Sequence, residues 1–510
     1  MSNAYSTPGV YIEDISKIVN MPEGALPVAS FMGVAATGPV GVPTPINSWN
    51  AYLKTFALSQ DSAFLTNSYL AHAVYGFFQN GGKKCYVLRT SNGTVTNGAV
   101  TSWNAACAVS SESSATSVCG DFGSVFAAKT EGTWANTKLK IVVPVGSVNT
   151  SLDTFTIKVY YNNTLVETFS SVKATANTQG CYADVVNAQS NYVKVTDLTE
   201  SAPISAISGA SADPILNFAS GADGLNTTSG NPPVPDTVSV AALKLFDFCD
   251  DIKLMTVPGG SQSLQTSLAT YCTENAYRVA ICDGLETDTV SSITTLRNSL
   301  DKKNAVLYYA WIKVINPLST SGSLISIPAC GHICGTIARI SENRGFWKSP
   351  AGTESVLRGA VALAKTLTQD DTDILNSIGV NAIIAKPNVG VVIWGVRSCN
   401  SDLPYVTDLY MYATVSKDLH DITEPFVFEP NDSTLWTKAK TACQDYLNSL
   451  YQRGALFGEN TSQAYYVKCD EELNPIESRN QGILNIEVGY ASKKPAEFVI
   501  LKISHELTTA

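Results

Sequence analysis

Three residues in the second half of the chain could, by type and order, serve a serine hydrolase. Asp283, His332 and Ser355 follow one another in a region whose pattern alternates between strands and helices. The nucleophile of such an enzyme must sit at a sharp turn or a helix start, with a base within hydrogen-bond reach. The stretch 351–355 only approximates such a turn, and Glu354 stands where the nucleophile would be expected. The sequence therefore supports a hydrolase weakly, and a hydrolase stays an alternative.

Two further stretches resemble ligand-binding motifs. Residues 330–334 read Cys-Gly-His-Ile-Cys, but a zinc site needs four ligands, usually as two spaced pairs, and the chain has no second such pair. Residues 359–366 approach a phosphate-binding loop, yet Ala364 occupies the position of a required glycine. We therefore predict buried thiols at the first stretch and an amphipathic helix near 354–367, with no metal, no cofactor and no enzymatic activity.

Composition excludes several classes of protein. The chain has 510 residues, a net charge of -10 and 12 cysteines. A sequence-independent grip on nucleic acid needs clustered Lys and Arg, and no basic tract is present. The first residues show neither the basic nor the apolar part of a signal peptide, and no apolar run is long enough to span a membrane. We expect a protein with reduced thiols that neither binds nucleic acid nor inserts into membranes.

The segment from 236 onward alternates strands and helices, which predicts a parallel α/β sheet. A strand at 27–35, a helix at 66–79 and a strand at 85–88 precede it. A hairpin, with strands at 382–384 and 391–394, and a helix at 433–453 follow. The alternating elements are predicted as strands at 252–257, 277–282 and 305–314 and as helices at 263–274, 290–300, 331–342 and 370–378.

Composition shifts between about 95 and 235, where Ser, Thr, Ala and Asn dominate. Two strand-like runs, 155–161 and 164–169, are separated by Asn162 and Asn163. A two-residue hairpin turn needs positive φ angles, which Asn tolerates. We therefore predict an inserted all-β domain, closed by the Pro-rich linker 230–235.

Both chain ends carry extended patterns. Leu484 to Tyr490 alternates between apolar and polar residues, and 497–503 is apolar on both faces. Residues 10–15 form a similar short segment near the start. Strands of this kind either pair within their own sheet or are offered to another chain, and the pattern alone favours neither.

Several stretches, in order along nearly the whole chain, resemble the sheath protein of contractile tails, which occurs in myovirus-type phage tails, tailocins and related contractile injection systems. The block 328–351, which contains the Cys-Gly-His-Ile-Cys motif and Arg-Gly-Phe-Trp-Lys-Ser-Pro, resembles the most recognisable part of that family. The remaining stretches that carry the likeness are 7–13, 27–33, 77–87, 131–136, 375–381, 394–397, 428–436 and 495–499.

The resemblance implies a fold and a set of domains. It implies an α/β fold with a subtilisin-like core that has no enzymatic activity. It also implies an inserted, outward-facing β-rich domain and an α+β C-terminal domain completed by strands from neighbouring subunits. The expected domains are an N-terminal arm at 1–25, the first part of the core at 26–95, the insert at 96–235, the subtilisin-like domain at 236–380 and the C-terminal domain with its arm at 381–510.

The resemblance further implies a structural subunit that contracts to drive an inner tube through a cell envelope. The expected partners are further copies in stacked hexameric rings, the inner tail tube protein, and baseplate and tail-terminator proteins. The expected location is a virion tail or injection-system particle, assembled in the bacterial cytoplasm. A non-contractile coat protein is a further alternative. The resemblance favours exchange of the terminal strands between subunits, through Val10, Tyr11, Ile12, Glu13, Asp14 and Ile15 and through Phe498, Val499, Ile500, Leu501, Lys502 and Ile503, with Lys438, Lys440 and Arg453 as candidates for contact with the inner tube.

Overall fold

The computed structural model describes residues 27–495 and 497, apart from 58, 67, 108, 113–124, 197–201, 203, 211, 226–232, 276 and 481. They form two compact units. The large unit comprises Val28–Arg339 and Pro350–Pro404, and the small unit comprises Ile340–Ser349 and the described residues from 405 onward. The predicted arms at 10–15 and 498–503 lie outside the described residues.

The strands are numbered in chain order. They are β1 (Val28–Gly33), β2 (Thr44–Ile46), β3 (Cys85–Arg89), β4 (Gly93–Thr96), β5 (Ala99–Trp103), β6 (Val109–Glu112), β7 (Val125–Ala128), β8 (Leu139–Val142), β9 (Thr154–Tyr161), β10 (Thr164–Lys173), β11 (Val193–Thr196), β12 (Ile215–Ala219), β13 (Ile252–Thr256), β14 (Val279–Asp283), β15 (Ala305–Tyr309), β16 (Ile312–Ile315), β17 (Leu324–Ile327), β18 (Ala360–Leu363), β19 (Asn381–Lys386), β20 (Gly390–Trp394), β21 (Tyr465–Lys468) and β22 (Glu487–Tyr490).

The α-helices are numbered in the same way. They are α1 (Trp49–Phe56), α2 (Gln60–Ala63), α3 (Leu70–Gln79), α4 (Tyr182–Gln189), α5 (Ile204–Ser208), α6 (Asp236–Leu243), α7 (Gln262–Glu274), α8 (Val290–Ser299), α9 (Cys330–Arg344), α10 (Gln369–Ser377), α11 (Val406–Thr423), α12 (Ser433–Gln452), α13 (Thr461–Ala464) and α14 (Ile476–Asn480). Short 3-10 helices occur at Thr133–Ala135, Val145–Ser147, Lys244–Phe248 and Glu424–Phe426. Among the described residues, no helix combines the length and the apolar character needed to cross a membrane.

An eight-stranded sheet organises the large unit, in the order β2-β3-β1-β13-β14-β15-β19-β20. The strands from β3 to β19 are mutually parallel, and β2 and β20 run antiparallel at the two edges. Every residue of β13, β14 and β15 is buried, as expected for central strands covered on both faces. The predicted parallel α/β sheet is confirmed, as are α7, α8, α9, α10, α12 and the β19–β20 hairpin.

Two predictions for this region are wrong. The run 305–314 is not one strand, because β15 ends in the large sheet and β16 begins a separate sheet of order β17-β16-β18. The helix predicted near 354–367 is absent, and β18 pairs there with β16. Gly352 and Gly359 have φ angles of +87° and +89°, which no helix accommodates, and β16 offers the apolar stretch a strand partner.

The insert contains an antiparallel seven-stranded sheet of order β10-β9-β8-β12-β6-β7-β11. Asn162 and Asn163 form the turn between β9 and β10, with φ angles of 49° and 63°, so the hairpin prediction is confirmed. The predicted all-β composition needs correction, because α4 and α5 also belong to the insert. Tyr182 and Val186 of α4 complete its apolar core against the sheet.

Two segments that lie side by side connect the seven-stranded sheet to the rest of the large unit. Ala106 and Ala222 form an antiparallel bridge, and the Asn92 N–H donates to the Gly224 carbonyl at 2.7 Å. Beside this junction, the buried Arg89 guanidinium donates to the Glu131 carbonyl at 2.9 Å. Its hydrogen bonds satisfy a charge that would otherwise be costly to bury.

The small unit is a helical pair with a small sheet. Met411 and Val415 of α11 share an apolar core with Leu447 of α12 and Val467 of β21. β21 and β22 form a two-stranded antiparallel sheet, with Tyr465 opposite Tyr490 and Lys468 opposite Glu487. The helix α11 was not predicted from the sequence, and the strand predicted from 484 to 490 is shortened to β22.

Candidate assembly surfaces

The serine of the hydrolase hypothesis is bound to backbone. Ser355 is fully buried, and its Oγ lies 2.7 Å from the Gly352 carbonyl oxygen and 3.1 Å from that of Ile393. The same oxygen accepts the Ile393 N–H at 3.2 Å. No hydrogen bond joins Ser355 to His332, both of which the structure describes. Ser355 therefore fastens a loop to the edge strand β20 and lacks the geometry of a nucleophile.

Asp283 and His332 are both buried, but they do not form a base and its orienting carboxylate. Asp283 ends β14 and accepts the N–H of Cys330, the first residue of α9, at 3.1 Å. Burial raises the pKa of Asp283 to about 7. His332 lies on α9, where burial and the nearby His72 lower its pKa to about 4. Asp283 therefore anchors the start of a helix, and His332 is a neutral core side chain.

Two glycines one turn apart on α9 bring its backbone against α3. A methyl group added at Gly331 would lie 2.2 Å from the carbonyl oxygen of Ala73. At Gly335 it would lie 2.4 Å from the carbonyl oxygen of Phe77. Only glycine fits where two helix backbones approach this closely. The glycines of the sequence block 328–351 therefore allow helices α9 and α3 to pack with their backbones in close contact.

The cysteines of the same motif are core thiols, as predicted. Cys330 and Cys334 are buried, and burial raises the pKa of both thiols well above the ordinary value. The His332 ring packs so tightly on α3 that a methyl group at Gly76 would lie 2.2 Å from its Nδ1. Within the described ranges, no group of three or more His, Cys, Asp or Glu side chains could hold a metal ion.

The sheet of the small unit has the features of an acceptor for further strands. The described residues give it only β21 and β22, so each strand has an edge without a described strand beside it over most of its length. After β22, the Ala491 carbonyl accepts the Phe457 N–H at 2.9 Å. On the outer face, the Tyr466 hydroxyl donates to Glu487 Oε1 at 2.7 Å. This sheet already packs against α12 through Val467, and its open edges leave room for additional strands.

The three candidates for inner-tube contact lie apart on α12 and at its end. Lys438 is exposed beside a shallow surface lined by Ser433, Thr434 and Thr437. Lys440 lies two residues further along the helix, on a different side, and is half-buried. The guanidinium of Arg453 lies 5.3 Å from the ring centroid of Trp347. The structure therefore does not bring the three cations together.

One exposed segment beside α12 was missed. Val427 is 59% exposed and Phe428 is fully exposed, and Phe428 has a φ of +73°, which is rare for a bulky residue. Both come directly before the Glu429-Pro430-Asn431-Asp432 stretch whose Asp432 caps α12. The sequence could have indicated this exposure, because Val427 and Phe428 are consecutive apolar residues that fit neither a helical nor a strand periodicity.

In the comparison with known proteins, one family model matches a central part of the chain. The model of the phage tail sheath protein central domain matches residues 238–399. The tail sheath protein of Vibrio phage KVP40 is 26% identical over 179 residues, which are 34% of this chain and 25% of that protein. The tail sheath protein of Salmonella phage ViI is 22% identical over 325 residues, 61% of this chain and 47% of that protein. The chain thus matches between a quarter and about half of the length of these curated relatives.

Solved structures extend the similarity of fold to nearly the whole chain. The contracted helical sheath of the anti-feeding prophage is 20% identical with a TM-score of 0.57, covering 98% of this chain and 100% of that one. The contracted sheath complex of an extracellular contractile injection system, PVC, is 19% identical with a TM-score of 0.54, covering 99% of both. The sheath tail protein from Listeria innocua is 13% identical with a TM-score of 0.60, covering 91% of this chain and 95% of that one. The predicted resemblance is thus confirmed: residues 238–399 match the model of the phage tail sheath protein central domain, within a chain whose fold is similar to that of contractile sheath proteins.

Proposed function

We propose that the chain is a structural sheath subunit that polymerises helically around an inner tube and contracts to drive the tube through a target envelope. The observation that carries this proposal is the match of residues 238–399 to the sheath central domain, a range that contains strands β13, β14, β15, β19 and β20 of the large sheet. The similarity of fold to two contracted sheaths supports it over nearly the whole chain. Ser355, which is bound to backbone, argues against the hydrolase alternative.

The large unit would be the rigid body of this machine. Its parallel sheet, with helices α7, α8 and α9 between successive strands, is compatible with the implied subtilisin-like core. The insert at 96–235 would face outward, since a short junction beside Arg89 connects it to the sheet. A packed core of this kind moves as a unit, because close-packed interiors deform little.

Neighbouring subunits would be linked by exchanged strands. The segments 10–15 and 498–503 of neighbours would add to β21 and β22, with main-chain hydrogen bonds giving strength and alternating side chains fixing register. A head-to-tail contact whose rotation does not close generates a helical tube, here of stacked hexameric rings. The C-terminal domain would thus be completed only in the assembly.

Contraction would be driven by burial of new surface. Each subunit that buries about 200 Å² of additional apolar area releases roughly 5 kcal/mol, at about 25 cal/mol per Å². Summed over the subunits of a long tube, this free energy would drive contraction without a bound nucleotide. The inner tube would contact α12 through Lys438, Lys440 and Arg453, of which Lys438 and Arg453 are exposed and Lys440 is half-buried on a different side of the helix.

Baseplate and tail-terminator proteins would hold the two ends of the polymer. A chain of the anti-feeding prophage baseplate assembly is also similar in fold, with a TM-score of 0.56. Assembly would occur in the bacterial cytoplasm, and the finished particle would be a virion tail, a tailocin or an injection system.

Negative-stain electron microscopy of the purified chain, with the inner tube protein as template, tests the proposal. The full chain should form striated tubes, and a variant without residues 1–20 should not, because it lacks the N-terminal strand. Tubes that shorten and widen on triggering would exclude a non-contractile coat. A full-length protein that stays monomeric at high concentration with the template would contradict the sheath proposal.

A further inference from the structure

The turn after α6 presents an aromatic side chain to solvent from a backbone that is held in place. Phe248 ends the 3-10 helix Lys244–Phe248 and is 90% exposed. The buried Arg278 guanidinium fixes this turn, because its Nη2 donates to the Phe246 carbonyl at 2.8 Å and to the Cys249 carbonyl at 3.1 Å. The backbone on both sides of Phe248 is thereby held.

The interactions of Arg278 extend to a surface carboxylate. Arg278 also donates to the Tyr271 hydroxyl, which in turn donates to Asp247. Burying a guanidinium costs several kcal/mol unless its donors are satisfied, so these bonds determine the geometry of the turn. An exposed aromatic residue on a backbone that is already fixed loses little backbone entropy on binding, which favours its use as an interface anchor.

Acidic residues flank Phe248 in the sequence. Asp247 and Asp250 are exposed on either side of Phe248, and Asp251 pairs with Lys84 Nζ at 2.5 Å. Across the part of the chain that the structure describes, Asp250 has no hydrogen bond or ion pair. We call Asp247, Phe248 and Asp250 the acidic knob.

A surface of complementary character lies at the edge strand β20. Trp394 is 43% exposed, and Lys386 Nζ lies 3.8 Å from its ring centroid. The neighbouring strand β18 contributes Val361, which is 56% exposed. We call Lys386, Trp394 and Val361 the cationic patch. An aromatic ring, an aliphatic side chain and a cation match the chemistry of the acidic knob.

The acidic knob and the cationic patch of one copy are too far apart to contact each other. The acidic knob precedes β13, and β20 is four strand positions away in the sheet, which corresponds to roughly 19 Å at about 4.8 Å per strand. We propose that the acidic knob of one copy docks on the cationic patch of a second copy. This inference rests on the proposed sheath function and adds a rigid side-chain contact to the strand exchange. Because the two surfaces differ, the contact is heterologous and can propagate along a polymer.

Polymerisation of Phe248→Ser tests the proposal, with Leu152→Ser as the matched control. Leu152 is 67% exposed on the insert, so both substitutions remove one exposed apolar side chain and leave folding intact. The full chain is titrated with the inner tube protein and the pelleted fraction is measured. We expect Phe248→Ser to raise the concentration needed for tubes about 30-fold, as for the loss of an interface anchor, and Leu152→Ser to leave it unchanged.

Charge reversal identifies the partner surface. Asp250→Lys and Lys386→Glu should each weaken polymerisation, and the double variant should recover it. If Phe248→Ser assembles like the wild type, or if the double variant is no better than the singles, the docking proposal is overturned while the sheath function stands. A wild-type chain that never polymerises overturns both.

Discussion

The close approach of α9 to α3 makes Gly331→Ala a demanding test of the structure. A methyl group there would lie 2.2 Å from the Ala73 carbonyl oxygen and 2.4 Å from its Cα. Both are backbone atoms, so no change of rotamer relieves the contact. One of the two helices must move, and the packing on either side of it must adjust.

Two effects of opposite sign decide the magnitude. Replacing glycine by alanine inside a helix gains about 1 kcal/mol of intrinsic propensity. Overpacking a core costs typically about 1–3 kcal/mol and occasionally more, and a clash with backbone belongs at the upper end. We therefore expect a net loss of about 2 kcal/mol in the free energy of unfolding.

Urea unfolding followed by circular dichroism measures this loss in the purified chain. Gly146→Ala is the control, because a methyl group at Gly146 meets nothing within 4 Å. The control should stay within about 0.5 kcal/mol of the wild type, as surface substitutions usually do. If Gly331→Ala matches the control or exceeds the wild type, helix propensity dominates and the backbones do not approach as closely as described.

Three further predictions concern buried charge and turn geometry. Asp283, with its pKa raised to about 7, keeps its proton in the folded state after the unfolded chain has lost it, so its contribution to stability should fall by about 4 kcal/mol as pH rises from about 4 to 7; the difference in urea unfolding free energy between the wild type and Asp283→Asn should shrink by that amount, and a constant difference would contradict it. His332, with its pKa lowered to about 4, stays neutral while the unfolded chain takes up a proton, so its contribution to stability should fall by about 3 kcal/mol as pH drops from 6.5 to 4, and His72 adds to this slope; the stability of Asp283→Asn, which lacks the opposing contribution, should therefore fall by at least about 3 kcal/mol over that range, and a flat profile would contradict it. At the insert hairpin, Asn163→Val should lower the unfolding midpoint because a β-branched residue resists a φ of 63°, whereas Asn163→Gly should leave it near the wild-type value.

The central sheet could be predicted because its strands are encoded locally. β13, β14 and β15 are continuous apolar runs separated by helical patterns, which is the signature of a parallel sheet buried on both faces. The helix α11 escaped prediction because polar residues such as Thr407, Thr414 and Asp418 are buried on it, so its sequence shows no apolar face. β18 escaped because its strand state depends on pairing with β16, which is distant in sequence.

The candidate surfaces were less accessible to sequence reasoning. Gly331 and Gly335 stand four residues apart in a predicted helix, and this spacing could have indicated a close helix crossing. The cations Lys438 and Arg453 were selected by charge alone, which says nothing about Trp347 beside Arg453. The turn that exposes Phe248 depends on Arg278, which lies thirty residues later in the chain, so the local sequence does not predict this exposure.

The junction of the insert has an evolutionary consequence. Ala106 and Ala222 are paired neighbours, and paired antiparallel residues lie only about 5 Å apart. A turn of a few residues could therefore join them, but the buried Arg89 would lose its hydrogen bond to the Glu131 carbonyl and would need another acceptor. A shorter loop or a foreign domain that supplies such an acceptor could thus take the place of the segment between them while the large sheet stays unchanged.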